Sequence, residues 1–277
     1  MGLENFVPEM WWGAIFERLR ANLVHASAVT RPFDGLLANQ GDEVHISEIE
    51  PIGVSDYSKN TDITWSNTTS YTKTLRVDQA KYYARNLDSI DRVQANVDLM
   101  GAIVSEAGYG MAKAEDDFIA DMYSQAGNSV TAATVTAGNI LVNLSNMQYE
   151  LDNANVPPDG RVFPIHPWYH QYLVQAATGV VGHTSVPKVF SDGMLVNGYV
   201  GTLFGFDLLV TTRINSASTV YYHWAFHRSA IAFVSQLMEV EAVRREDRFG
   251  VGLKALSLYG GMVIRPEAAV SCTTTKG

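Results

Sequence analysis

Apolar residues between positions 88 and 125 recur with the period of a single helix face. Val93, Val97, Val104, Met111, Phe118 and Met122 mark the stripe, and Ile90, Met100, Ile103, Ala107, Ala114 and Ile119 widen it. Asp88 or Asp91 is the expected cap, and acids in a first turn suit the positive end of the helix dipole. Gly127 and Asn128 end the run, and no proline interrupts it. About 35 residues at ~1.5 Å each make a rod of roughly 50–55 Å. A compact chain of 277 residues has a diameter of only about 50 Å. The rod therefore bends, or the protein is an elongated tile built along it. Gly108-Tyr109-Gly110 is the expected place for a bend or a tight packing contact.

Other stretches follow different periods. Residues 6–29 read as a short helix with a wide apolar face of Trp11, Trp12, Ile15, Phe16, Leu19, Leu23 and Val24, which needs a partner surface. Residues 43–49, 71–77 and 81–87 read as strands. The connection 50–70 is polar and about 20 residues long, too long for a structureless loop in a compact domain. An extended two-stranded arm, with Ile63 and Trp65 on its return, fits better. Isolated ribbons are marginal in water, so such an arm is expected to lie on another subunit. Residues 129–137 read as a Thr/Ala-rich link. Residues 137–177 read as helix, turn, strand and helix, the turn being Val156-Pro157-Pro158-Asp159-Gly160 and the last helix opening at Pro167. Residues 200–203 and 206–212 are strands around Gly205. Residues 218–226 and 229–234 follow as strands, with 230–243 open to a partly helical reading. Residues 252–263 are a strand broken at Gly260-Gly261, and Pro266 introduces a last extended segment.

Composition narrows the function classes. The chain is 47% hydrophobic and 18% charged, enough for a substantial core. A net charge of −9 argues against a dedicated nucleic-acid surface, which needs clustered Lys and Arg. Cys272 is the single cysteine, so no internal disulfide or Cys-rich zinc site is possible. No basic-then-apolar leader opens the sequence, and no apolar run reaches the ~18 residues of a membrane span.

Candidate chemistry is sparse. His166 and His170 have the spacing of paired zinc ligands on a helix. The intervening residues are Pro167, Trp168 and Tyr169, with no Glu to serve as base, and Pro167 pulls His166 out of the helix. Gly250-Val251-Gly252 formally opens a dinucleotide pattern but follows a charged cluster where an apolar strand is needed. Glu115, Asp116, Asp117 and Asp121 sit toward the negative end of the rod, where acids are disfavoured. Arg244, Arg245 or Arg248 is expected to offset them, from the same subunit or the next. Catalytic, cofactor and metal residues are expected to be absent.

The order of parts resembles the major capsid (coat) proteins of tailed double-stranded DNA bacteriophages. Asp78-Gln79-Ala80-Lys81-Tyr82-Tyr83, followed by 88–96, is similar to that family's approach to its spine helix. Residues 151–161 with Pro167 resemble its middle domain, 201–210 another of its segments, and Arg248-Phe249 with 258–266 its return strand. The resemblance implies an α+β fold: an N-arm (1–38), a β-hairpin E-loop (39–80), a P-domain with the spine helix (81–136), an A-domain (137–240) and P-domain return strands (241–277). It implies a structural protein, not an enzyme, that forms hexamers and pentamers in an icosahedral shell around phage DNA. The location implied is the virion, with assembly in the host cytoplasm. Expected partners are other copies, a separate scaffolding protein, a portal and a decoration protein. Trp11, Trp12, Phe16, Lys59, Ile63, Trp65, Arg244, Arg245 and Arg248 are the expected subunit contacts. The rival readings are a cellular nanocompartment shell enclosing cargo enzyme and a metal-dependent enzyme built on His166 and His170.

Overall fold

The computed structural model describes residues 23–33, 41–49, 52–63, 65, 67, 69–88, 99–178, 201–244 and 250–277. A four-residue helix α1 (His25–Ala28) precedes the ribbon strands β1 (Glu43–Ile49) and β2 (Ser70–Arg76). Strand β3 (Gln79–Asp88) leads toward the long helix α2 (Leu99–Asp121), which closes in a 3-10 turn at Met122–Gln125. The described part of the rod is 23 residues, about 35 Å, and the expected stretch before Leu99 lies outside the described residues. The backbone of Asp88 is the last rung of the β3–β11 ladder, opposite Gly250. Asp91 lies outside the described residues. Gly108 and Gly110 stay within the helix, exposed, and a Cβ at either would meet nothing within 4 Å. The tight contact expected there is absent among the described residues.

After α2 come β4 (Asn128–Val135), α3 (Ile140–Asn153), β5 (Arg161–Ile165) and α4 (Pro167–Thr178). Strands β6 (Thr202–Leu203), β7 (Phe206–Val210), β8 (Ser216–Ala217), β9 (Val220–His227), β10 (Ile231–Arg244), β11 (Gly250–Val263) and β12 (Ala269–Lys276) complete the chain. The larger sheet has the order β4-β12-β9-β5-β7-β6, with β8 beside β9. The Thr/Ala-rich stretch read as a link is therefore a strand, β4. The final segment is not a return strand beside the long helix. It lies inside the larger sheet, parallel to β4 and antiparallel to β9, with Ala269, Val270, Cys272 and Thr274 buried. Ile140, Leu144, Met147 and Leu151 form the buried stripe of α3, as their spacing predicts. They share one core with Phe163, Ile165, Tyr169 and Leu173. On β9, alternation sends His223 toward Tyr169 and Tyr222 to the opposite face, where it stacks on Tyr123 at 4.7 Å.

A second, three-stranded sheet has the order β10-β11-β3. β10 is strand throughout, with one irregularity between Leu237 and Glu239, so the partly helical reading fails. β11 runs unbroken through Gly260-Gly261. Those glycines are there for close approach: a Cβ on Gly260 would fall 2.2 Å from the Arg76 carbonyl oxygen, and one on Gly261 2.7 Å from Met122 Cε. Alternation splits β11 between two surfaces. Ser257 and Tyr259 reach α2, their hydroxyls meeting Glu115 and the Ala114 carbonyl. Leu258 and Gly260 face away, under the root of the β1–β2 ribbon.

Candidate subunit-contact surfaces

The β1–β2 ribbon pairs in full register from Glu43↔Arg76 to Ile49↔Ser70. Its inner face carries Val44, Ile46, Leu75 and the adjoining Val77, which pack with Ala232, Val234 and Leu258. Its outer face carries Glu43, His45, Thr74 and Arg76, with Arg76 Nε donating to Glu43 Oε1 at 2.7 Å and His45 3.1 Å from the Thr74 hydroxyl. Lys73 bridges Glu48 at 3.1 Å and donates to the Ile264 carbonyl. Two backbone bonds close the base, Gly41 N–H to Val77 O and Val77 N–H to Asp42 O. The alternation read from the sequence is thus a real inside–outside division, and the root belongs to its own subunit.

Beyond Ile49 the character reverses. Val54 is 99% exposed, Trp65 90% and Ile63 66%, with Ile52 and Tyr57 similarly open. Lys59 and Asn60 form the turn, Asn60 at φ +68° and Thr61 N–H donating to Ser58 O. Ile63 and Trp65 were legible as arm residues. Ile52, Val54 and Tyr57 were missed; their signal was apolar side chains scattered through a loop otherwise read as polar. Trp11, Trp12, Phe16, Arg245 and Arg248 lie outside the described residues.

Among the described residues, the acidic end of α2 meets Arg213, Asn215 and His25. Arg213, in the segment after β7, clamps Asp117 with Nε at 2.7 Å from Oδ1 and its terminal nitrogen on both carboxylate oxygens. Asn215 donates to Asp121 at 2.6 Å. Asp116 is fully buried, 3.0 Å from His25 Nδ1 and accepting the Ala26 N–H at 3.0 Å. Arg244 instead ends β10 opposite Val251, at the β3 end of the three-stranded sheet. Among the described residues, the arginine at this helix end comes from a segment 96 positions away, which no local spacing announces.

The histidines form a structural cluster. His166 lies just outside α4, and its Nδ1 accepts the Trp168 N–H, so it caps that helix. The His166 N–H donates to His223 Nε2, leaving His223 Nδ1–H to donate to Thr274 Oγ1 at 2.7 Å. Thr274 passes its own proton to the Tyr221 carbonyl. Burial, with His166 second, pushes His223 down to about 3, so the ring is neutral. Burial also lowers His166 and His170, with Lys276 adding to the effect on His166. Burial pushes the Cys272 thiol up to about 11, opposed by a hydrogen bond to Asn143, which gives an inert thiol. Among the described residues no three His, Cys, Asp or Glu side chains group as a metal site would require. No described helix is long and apolar enough to cross a membrane.

The same architecture occurs in viral shells. A chain of Mycobacterium phage Che8 is 29% identical, with a TM-score of 0.83 over 98% of each chain. The capsid of cyanophage P-SCSP1u shares the fold at 15% identity and a TM-score of 0.78, over 100% of this chain and 95% of the other. The mature capsid of bacteriophage PhiM1 does so at 13% identity and 0.76, over 96% and 91%. No curated protein matches. The fold is that of a structural, self-assembling shell subunit. Residues 72–272 match the family described as phage capsid protein, and the chain belongs to that family. Its role is to build the capsid that encloses the DNA of a tailed phage.

Proposed function

We propose that the chain forms hexamers and pentamers whose contacts run through the β1–β2 arm. The arm acts as the family's E-loop and residues before 39 as its N-arm. The three-stranded sheet with α2 acts as the P-domain, and the larger sheet with α3 and α4 as the A-domain. The strand orders support a division in which β4 and β12 go with the A-domain sheet and all of β10 with the P-domain. One observation carries the reading. The ribbon's root is packed into its own subunit, while Ile52, Val54, Tyr57, Ile63 and Trp65 beyond it are exposed. A group of apolar side chains displayed on an arm away from the body of the subunit marks a surface for another protein to cover. A separate scaffolding protein, a portal and a decoration protein are the further partners this reading implies.

Electron micrographs of the expressed chain test it, alone and with the neighbouring genes of its genome. Closed shells of uniform size are expected. A chain that stays monomeric at every concentration and with every such neighbour overturns the reading.

A further inference from the structure

Among the described residues, three passages carry the chain between the two larger sheets, and they meet at one joint. The turn Arg228–Ala230 links β9 to β10, the turn Pro266–Ala268 leads from β11 into β12, and Met122–Gln125 leads from α2 toward β4. The Ala230 carbonyl accepts the N–H groups of Ile264 and Arg265 at 2.7 and 3.2 Å, and Pro266 O accepts the Gly127 N–H at 2.7 Å. A strap from Val24 to Arg31 lies across this joint. At its start, both carboxylate oxygens of Asp116 on α2 accept from it, one from His25 Nδ1 and one from the Ala26 N–H, each at 3.0 Å. At its end, the Thr30 hydroxyl donates toward Ile231 O at 2.9 Å and Arg228 O at 3.2 Å, and Thr30 O accepts the Phe233 N–H at 3.2 Å. Arg31 lies over the Phe233 ring, 5.1 Å from its centroid, and donates to Ser235 Oγ at 3.1 Å.

We infer that the strap is a detachable lock on this joint: seated, it fixes the angle between the two sheets, and lifted, it lets them shift. The inference goes beyond the shell reading and does not depend on which surfaces join the copies. The strap is lightly held. Its helix is four residues long, its strand pairing is the single bridge Thr30↔Ala232, and its buried apolar side chains are the small ones of Val24, Ala28 and Val29. Segments held this way open locally at low cost. Lifting it also strands no polar group. Asp116 and His25 are both buried and face each other, so lifting gives both to water at once and leaves neither unpaired in a dry core. The seated and lifted positions are each satisfied, and the chain has two states to choose between. Leverage gives the choice a consequence. β10 and β11 each run 14 residues from the joint, about 45 Å, so a turn of ~5° there moves their far end by ~4 Å. A pull on the chain before residue 23 is thereby passed to the shape of the subunit.

Two measurements on unassembled subunits test it, and neither bears on whether shells form. Amide hydrogen exchange compares the parent with Thr30→Val, which keeps the side-chain shape and removes the hydroxyl. The amides of Ala26 and Phe233 report the strap, and those of Gly127, Ile264 and Arg265 report the joint. Both sets are expected to exchange severalfold faster in the variant, with the amides of α3 unchanged. A faster strap over an unchanged joint overturns the inference. So does a pattern identical to the parent's, or an equal rise in α3, which makes the strap a part of global stability alone. Spin labels at Asn86→Cys, near the far end of β3, and Tyr149→Cys, on α3, read the angle; both sites are exposed and Cys272 is buried. The parent strap should give one narrow distance, and Thr30→Val a second population displaced by about 4 Å. The parent strap in urea below the unfolding transition supplies the same reading if the variant does not fold. The second distance should then appear as Ala26 and Phe233 lose protection and before α3 does. Strap amides that exchange freely while the distance stays single overturn the inference.

Discussion

Root and tip of the β1–β2 arm belong to one excursion of the chain, paired as a ribbon only from Glu43↔Arg76 to Ile49↔Ser70, and differ in what surrounds them. At the root, Leu75 is fully buried and Val77 nearly so, packed on β10 and β11, while Glu43 and Arg76 pair on the outer face. Ten residues before Leu75, Trp65 is 90% exposed. The root therefore contributes to the stability of the subunit and the tip to its association. Burying a large apolar side chain gives about 1.5–3 kcal/mol whichever chain supplies the covering surface. What differs is when that energy is released, at folding for the root and at assembly for the tip.

Substitutions can break this division. Leu75→Ala should cost the isolated subunit about 2–5 kcal/mol, read by denaturant unfolding. Trp65→Ala should leave that unfolding curve in place and abolish or sharply reduce shell yield. Equal stability losses from the two would erase the distinction between root and tip. Gly260→Ala should follow at ~1–3 kcal/mol, because its Cβ has nowhere to go but into the Arg76 backbone. If the arm root lifted to accommodate it, proteolysis would cut the ribbon near Arg76 faster than in the parent.

Acid tests a part of the subunit remote from the arm. His223 has a folded-state value of about 3, below the ~6.5 of an unfolded histidine. The unfolded chain then binds the extra proton between those values, so stability is complete above pH ~6.5 and falls as pH drops toward 3. The slope from this group approaches ~1.4 kcal/mol per pH unit. Stability measured at pH 7 and pH 5 should converge in His223→Gln relative to the parent. An unaltered pH dependence would show that His223 is not the group responsible. The smallest effect belongs to Gly108→Ala. With open space around it, the substitution should stabilise the isolated subunit by up to ~1 kcal/mol through helix propensity. If it also lowers shell yield, a neighbouring copy uses the gap, and α2 joins the tip as an association surface.

Much of this was legible in the residues. Alternation at 43–49 and 71–77 marked a ribbon with one apolar face, and the 3.6-residue spacing of Ile140, Leu144, Met147 and Leu151 marked a core helix. Both are short-range signals carried by the chain's own period. The order of such segments also sufficed to suggest the capsid family. The contact residues were only partly readable. Trp65 stands out in any polar loop, but Val54 and Tyr57 become informative only once nothing in the subunit covers them.

Sequence by itself determined the elements with a strong local period and, through their order, the kind of protein. Tertiary structure decided the rest, because the deciding partners are far apart along the chain. β12 is a Thr-rich strand that could pair anywhere, and its place between β4 and β9 is set by strands about 50 and 140 residues before it. Asp116 meets His25 across 91 positions, and Asp117 meets Arg213 across 96. Gly260-Gly261 reads locally as a break because glycine weakens strands. Only the crossing of Arg76 overhead shows that the glycines keep β11 whole by leaving room for the arm.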